Sequence, residues 1–463
     1  MNYISLTIIL FGSMYVTARF GPARTFSTIA LPVLLFLGIT APYKIAGIPQ
    51  FDAISCLGYG VLIGIAISRK FPVLRVHFID YLIVVLAIIP VISGWINGEF
   101  WTAVNSTADR TFWWIVPYML GRLALSDPVE RNRALNVLCF ATPIIGALAL
   151  FEWRFFPNEV SRMMDRINLS AEYNEMVLKR WAFFRTIVTF KHPIDHGNVG
   201  VILLCMIPVL TYMSGRSLAE KRIKFALAGA TLSVMTSMSF TSIFAAMIMG
   251  GLFVAFYYQR WLVNALPLVV LSMVLGAFYL TNDLLGRTLI EEQRDLTNAL
   301  GDSVWIRALI VQRAWELAQV AGWFGFERTI TKDQLALDSV DNSYMLFILR
   351  HGWTYFFGWM ALIFSITMLG HRLITRTADA PPYLRIPAIL IPCCLIAILV
   401  GMYTVWFGFI YSLFWLILLG MGVTTSQMLD RTNQPPVPLA GYGPTGGFAM
   451  QSRPRTREVV ESN

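Results

Sequence analysis

Charge is scarce in this chain. Of its 463 residues, 14% are Asp, Glu, Lys or Arg, and five are His. Against that, 56% are hydrophobic and the mean hydropathy is +0.62. A soluble protein of this length could not hide so much apolar surface, so the soluble classes are excluded. The five cysteines (Cys56, Cys139, Cys205, Cys393 and Cys394) all lie in apolar runs. None has metal-ligand spacing, so they read as packing residues. No HExxH pair occurs, and no internal repeat is visible. An inverted-repeat transporter architecture therefore has no support. Met1 to Ala18 lacks a basic leading region and reads as a retained span. The net charge of +9 is an expression of membrane topology and not a nucleic-acid footprint.

What is present is a series of apolar runs near the length that crosses a bilayer. They fall at 3–18, 27–42, 51–67, 78–96, 112–125, 134–151, 193–214, 223–237, 240–258, 262–281, 343–370, 386–401 and 405–424. The expected fold is an all-α polytopic membrane protein with about 12–13 transmembrane helices. Residues 1–429 form one transmembrane domain. The tail 430–463 is rich in Pro, Gly and Arg and reads as disordered. Basic connections set the orientation. Arg69, Lys70 and Arg75; Arg122, Arg131 and Arg133; Arg216, Lys221, Arg222 and Lys224; Arg260; and His371, Arg372 and Arg376 all fall on one side if the spans alternate. That side is expected to be the cytoplasm, and the C-terminal tail lies on it. The opposite side then holds 97–111 and two long segments, 152–192 and 282–342. The first reads as one or two interfacial amphipathic helices anchored by Trp153 and Trp181. The second contains a helical pattern over Val304 to Ala321. Loops of this length in a compact protein are usually functional.

The chain is organised around Arg185 to Gly200, RTIVTFKHPIDHGNVG. Pro193 suits the first turn of a helix, and an apolar run follows. Arg185, Lys191, His192, Asp195 and His196 thus gather at a helix N-terminus on a membrane edge, a place suited to anions. Arg185 offers a planar grip on phosphate; the alternative is a snorkelling interfacial arginine. His192 and His196 lie four apart and share a helix face, but no third metal ligand follows. The other reading is a helix-start histidine bonded to a loop. A second constellation, VDNSYMLFILRHG, contains Asp341, Asn342, Tyr344 and Arg350. Asp341 and Asn342 suit a helix N-cap, and Asp341 is also a carboxylate placed to act as a general base. Between them, DSVWIRALIVQRAWELAQVAGWFGF carries Arg307, a candidate phosphate or saccharide contact. It ends in a turn containing Gly322 and Gly325. The patch SMSFTSIF, Ser237 to Phe244, offers hydroxyls to a cavity or to the backbone.

An Arg followed by an HPIxxG-like helix start, a Ser/Thr-rich span pair, an R(x)nW helix ending in GxG and a DNSY segment leading to a Gly resembles the O-antigen ligase and Wzy-type polymerase superfamily. The likeness covers roughly Arg185 to Trp359 and is closest to its exopolysaccharide polymerase members. The resemblance implies a C-type glycosyltransferase-like fold with two periplasmic segments in the bacterial inner membrane. It implies a metal-independent glycosyltransferase, without cofactor, that joins polyprenyl-diphosphate-linked oligosaccharides on the periplasmic side. Its partners would be the growing glycan or a lipid acceptor, the bilayer and other polysaccharide-assembly proteins, with no nucleic acid. By likeness, Arg185 holds the donor diphosphate and Arg307 is a further cation. Asp341 and Asn342 stand where many members carry a His-Asn pair. Where many members have an arginine in the Ser-rich span, this chain has Phe240, Thr241 and Ser242, and Lys191 or His192 is expected to substitute. The expected catalytic residues are Asp341 and His192. Arg185, Lys191, Asp195, His196, Arg307, Asn342, Tyr344 and Arg350 are expected to bind substrate. Polymerase and ligase are not separated by any residue. From other classes, a lipid-linked sugar flippase predicts ionisable groups in mid-span, and a scaffold predicts that Arg185 and Asp341 are replaceable.

Overall fold

A chain this poor in charge has few ways to satisfy its backbone inside a bilayer, and helices do so within each segment. The computed structural model describes residues 2–37, 52–69, 74–97, 100–155, 158–166, 179–180, 183–190, 192–268, 270, 272, 314–326, 343–402 and 410–432. They are almost entirely helical. The elements are α1 (Asn2–Phe20), α2 (Pro22–Phe36, with a π turn at Phe26–Ala30), α3 (Ala53–Ser68) and α4 (Phe78–Ile96). Next, α5 (Phe100–Arg110) runs through a π turn (Thr111–Ile115) into α6 (Val116–Ala124). Then come α7 (Pro128–Arg154), α8 (Glu159–Arg166), α9 (Pro193–Met213), α10 (Lys221–Thr236) and α11 (Phe240–Tyr258). The series closes with α12 (Ser343–Arg376), α13 (Pro382–Gly401) and α14 (Ile410–Thr432).

Seven of the described helices are long and apolar enough to cross a membrane: α4, α7, α9, α11, α12, α13 and most of α14. Three shorter apolar helices lie over Ile4–Phe20, Pro22–Phe36 and Ala53–Ser68. The protein is thus an all-α, multi-pass membrane protein. The run expected at 112–125 is the second half of a longer helix that starts at Phe100. The run expected at 262–281 begins in a 3₁₀ turn, Arg260–Ala265, and mostly lies outside the described residues. Among its described residues, the segment expected to hold interfacial helices contains α8 and a two-residue antiparallel ladder, Lys179–Arg180 with Phe183–Phe184, while Trp181 lies outside the described residues. Trp153, an expected anchor, stacks on Phe183 at 4.2 Å. Helix α14 continues to Thr432, past the expected boundary of the tail, and its Asp430 pairs with Arg376.

Burial orders the bundle. Within their apolar windows α14 is 89% and α9 83% buried, against 28% for α11. Helices α9 and α14 are therefore the centre, and α11 presents most of its surface outward. Close crossings occur at small residues, since apolar lipid leaves interhelical packing as the main attraction. A Cβ at Gly146 would lie 2.5 Å from Gly229 Cα, joining α7 to α10. The crossing of α6 and α14 leaves no room beside Gly121 or Gly420.

The basic connections meet at one end. Buried Arg122 is bonded to Asp80, to Gln427 Oε1 at 2.9 Å and to Arg75 O at 2.8 Å. Tyr118 donates to Asp80 at 2.5 Å. Asp80 also accepts the His77 N–H at 2.6 Å, while His77 Nδ1 accepts from Ile79 N–H at 3.2 Å. This capping box starts α4. Glu130 is bonded to Arg24, Arg133 and Ser27 in the same manner.

Candidate functional site

The centre of the opposite end is the start of α9. Residues 185–190 run inward from the small ladder, and Thr186 to Phe190 are buried. A buried loop must find partners for its peptides. Glu152, at 0% exposure, supplies several. Its Oε2 accepts from Val188 N–H at 2.9 Å and Ile187 N–H at 3.3 Å, and its Oε1 accepts from Val160 N–H at 3.0 Å. The gathered amides turn the chain so that Val188 takes φ 49°. Thr186 N–H donates to Thr236 O at 3.2 Å, and Thr189 Oγ1 to Leu35 O at 2.7 Å. The segment is thereby held by α7, α10 and α2 at once.

This scaffold fixes Arg185. Its Nε donates to Ser237 O at 3.4 Å, at the C-terminal end of α10, where helix carbonyls favour a cation. The side chain is half-buried. His192 is the N-cap of α9, its Nδ1 accepting from Ile194 N–H at 3.2 Å, with Pro193 in the first turn. A neutral histidine with Nδ1 accepting carries its proton on Nε2. In this arrangement removing a proton through Nδ1 would dissolve the cap.

Asp195 and His196 are fully buried. Asp195 Oδ1 accepts from Tyr411 N–H at 2.8 Å, tying α9 to the start of α14. The His196 ring lies 5.4 Å from that of Phe190, and neither of its ring nitrogens has a hydrogen-bond partner among the described residues. The serine patch closes on this turn. Ser242 Oγ donates to Asn198 Oδ1 at 2.9 Å and lies 3.3 Å from Ile194 O. A Cβ at Gly197 would come within 2.5 Å of both Ser237 and Ser242 Oγ. The patch therefore bonds the backbone and Asn198, as one of its two expected readings held.

The described part of the second constellation packs against α13. Ser343 N–H, at the head of α12, donates to Met402 O at 3.2 Å. Tyr344 is buried, and its hydroxyl donates to Leu399 O at 2.9 Å. Tyr344 thus joins α12 to α13, while Arg350 is exposed on α12. Lys191, Arg307, Asp341 and Asn342 lie outside the described residues. The structure therefore brings Arg185, His192, Asp195 and His196 together with the serine patch, and places Arg350 apart on the outer face of α12.

One group was missed by sequence reasoning. Arg110, at the end of α5, reaches His351 Nε2 at 2.9 Å and Tyr355 Oη at 3.2 Å. Its guanidinium also lies over the Trp114 ring at 5.0 Å. An arginine only donates, so His351 accepts through Nε2 and is neutral. The pair sits beside a helix break. Gly352 has φ 79° and ψ −179°, and the turn 322–326 docks into it. Phe326 N–H donates to Leu349 O at 2.8 Å, Trp353 N–H to Gly322 O at 3.2 Å and Thr354 N–H to Trp323 O at 3.2 Å. Ser93 binds Phe324 O from α4. Residues 314–320 before the turn are helical, within the expected 304–321 stretch. The available signal was an arginine followed by TFWW, a cation entering an aromatic run.

No protein-family model, no curated protein and no solved structure matches the chain.

Proposed function

We propose that the chain is a membrane glycosyltransferase that polymerises polyprenyl-diphosphate-linked oligosaccharide repeat units in exopolysaccharide assembly. The observation that carries this reading is the half-buried Arg185 held against Ser237 O beside the capped start of α9. Ionisable groups gathered at the end of an apolar bundle are a site candidate by default, and the order of motifs resembles that of the O-antigen ligase and polymerase superfamily. The donor's diphosphate is a good leaving group whose charge rises as its bond to the anomeric carbon breaks. Arg185 would bind it and offset that charge. His192, through Nε2–H, would add a neutral donor. An acceptor hydroxyl oxygen would attack the anomeric carbon as Asp341 takes its proton, and the polyprenyl diphosphate would leave. A positioned base contributes about 10²–10⁴-fold to such a step. Arg110 extends the reading, since it supplies a second guanidinium at this end where the Ser-rich span has none.

The test is polymer formation in a deletion host complemented with Arg185→Ala or Asp341→Asn, at matched membrane levels. Lost polymer with single lipid-linked units accumulating on the outer face supports a polymerase. Units retained on the inner face would make the protein a flippase. Normal polymer would leave a scaffold.

A further inference from the structure

At the end of the bundle that carries the basic connections, a groove opens between the first turns of α7, the end of α9 and the first turns of α10. It encloses about 580 Å³ and is lined by Pro128, Val129, Arg131, Asn132, Asn136, Ser214, Arg216 and Arg222. Three guanidinium groups meet here. Arg216 is bonded to Glu220 and lies 3.2 Å from Asn136 Oδ1. Arg222 shares the same two partners, each at 3.2 Å. Arg131 is different. Its buried Nε has no hydrogen-bond partner among the described residues, and Ser214 Oγ, which also lines the groove, has none either. The carboxylates nearby are Glu220, shared by two arginines, and Asp127, which is already the N-cap of α7. Exposed Lys221 and Lys224 on the first turns of α10 add to the positive surplus.

The helices continue from this groove as an apolar flank. On α7, Val129, Asn132, Asn136 and Phe140 share one face by their spacing. Phe140 is 70% exposed, and on α10, which runs alongside α7, Phe225 is 65% exposed. A cationic notch that opens onto outward-facing aromatics along two membrane helices matches an anion joined to acyl chains. A free anion would use only the notch.

We propose that this groove binds the phosphodiester of an anionic phospholipid, with Arg131 and Arg222 on the phosphate and the acyl chains along Phe140 and Phe225. Basic notches at the mouths of helix pairs recognise such headgroups through charge-assisted hydrogen bonds. The site lies at the opposite end from Arg185 and is independent of the proposed reaction.

The experiment is native mass spectrometry of the purified full chain titrated with dioctanoyl phosphatidylglycerol, dioctanoyl phosphatidylcholine or inorganic phosphate. The expected result is binding of phosphatidylglycerol about tenfold or more tighter than phosphatidylcholine, weakened about tenfold by Arg131→Gln. Arg372→Gln, on an exposed arginine of α12, is expected to change nothing. Asn136→Asp keeps every arginine and adds a carboxylate, so it is expected to weaken the same lipid even if Arg131→Gln fails to fold. Equal affinity for the two lipids, or full affinity in Arg131→Gln, would overturn the proposal. Competition by inorganic phosphate at equal concentration would overturn the lipid source and leave a soluble-anion site.

Discussion

Gly352 combines a backbone conformation suited to glycine with a close backbone neighbour. Its φ of 79° with ψ −179° is a region open essentially to glycine, and holding another residue there costs about 1–3 kcal/mol. A Cβ would also lie 2.2 Å from Trp323 O and 2.4 Å from Phe324 N, so the docked turn must move away. Three hydrogen bonds hold that turn: Phe326 to Leu349, Trp353 to Gly322 and Thr354 to Trp323. Each contributes about 0.5–1.5 kcal/mol net. Strain and lost bonds together make roughly 3–7 kcal/mol. That is a large share of the roughly 5–15 kcal/mol that holds a native protein together. Gly352→Ala is therefore expected to lose most folded protein, or to lower sharply its thermal unfolding midpoint in detergent, followed by size-exclusion fluorescence. Gly251→Ala is the control, because a Cβ there meets nothing within 4 Å and an alanine in a helix gains about 0.5–1 kcal/mol over glycine. If both variants unfold at the wild-type temperature, the docking of the turn into the α12 break is wrong.

Other variants separate structural from chemical roles. Glu152→Gln leaves one amide nitrogen facing peptide N–H groups. It is expected to destabilise by about 2 kcal/mol or more, read as a lowered unfolding midpoint alongside lost polymer; an unchanged midpoint would remove Glu152 from its role under Arg185. His192→Asn keeps an N-cap acceptor but no titratable ring. Polymer at wild-type level would confine His192 to capping, and its loss at normal protein levels would give it a part in catalysis. Arg110→Ala is expected to abolish polymer while Tyr355→Phe costs only about 1 kcal/mol of stability; equal activity in both would make Arg110 a structural group. His77 lies just before α4, and burial, with Arg122 and Arg372, lowers its pKa against the pull of Asp80 and Asp430. Its protonation therefore opposes folding. The stability it contributes is full above its ordinary value of 6.5 and is lost as pH falls through the lowered folded value. His77→Asn should flatten that acid limb in pH-dependent unfolding, and an unaltered limb would place the titration elsewhere.

The class of fold was legible because it rests on local quantities. Apolar runs of spanning length and the His192–Pro193 helix start act within one segment, and the runs expected at 78–96, 193–214 and 240–258 form helices close to where their residues placed them. The polar groups were legible only in part. Arg185 and the serine patch were seen as separate features, and their meeting depends on Gly197, whose missing side chain lets Ser237 and Ser242 close on α9. The other bonds at this end join residues far apart in sequence. Asp195 meets Tyr411, Arg110 meets His351, and Glu152 meets the 187–188 peptides. No periodicity encodes such pairs, because a charge in an apolar segment states only that it needs a partner, not which one.

One span boundary was misplaced for a related reason. Hydropathy sees length but not continuity, so α5 and α6, joined through a π turn, were read as one short span preceded by a loop. That loop carries Arg110. Once Phe100–Arg110 is helical, the arginine projects from the rim of the bundle toward α12, where His351 and Tyr355 receive it. A boundary misplaced by about three turns thus concealed a guanidinium at the same end as Arg185. The side-chain partners of Arg110, His351 and Tyr355, are neutral. Its charge is held in place but not cancelled by them, which is the condition an arginine must meet to bind a diphosphate.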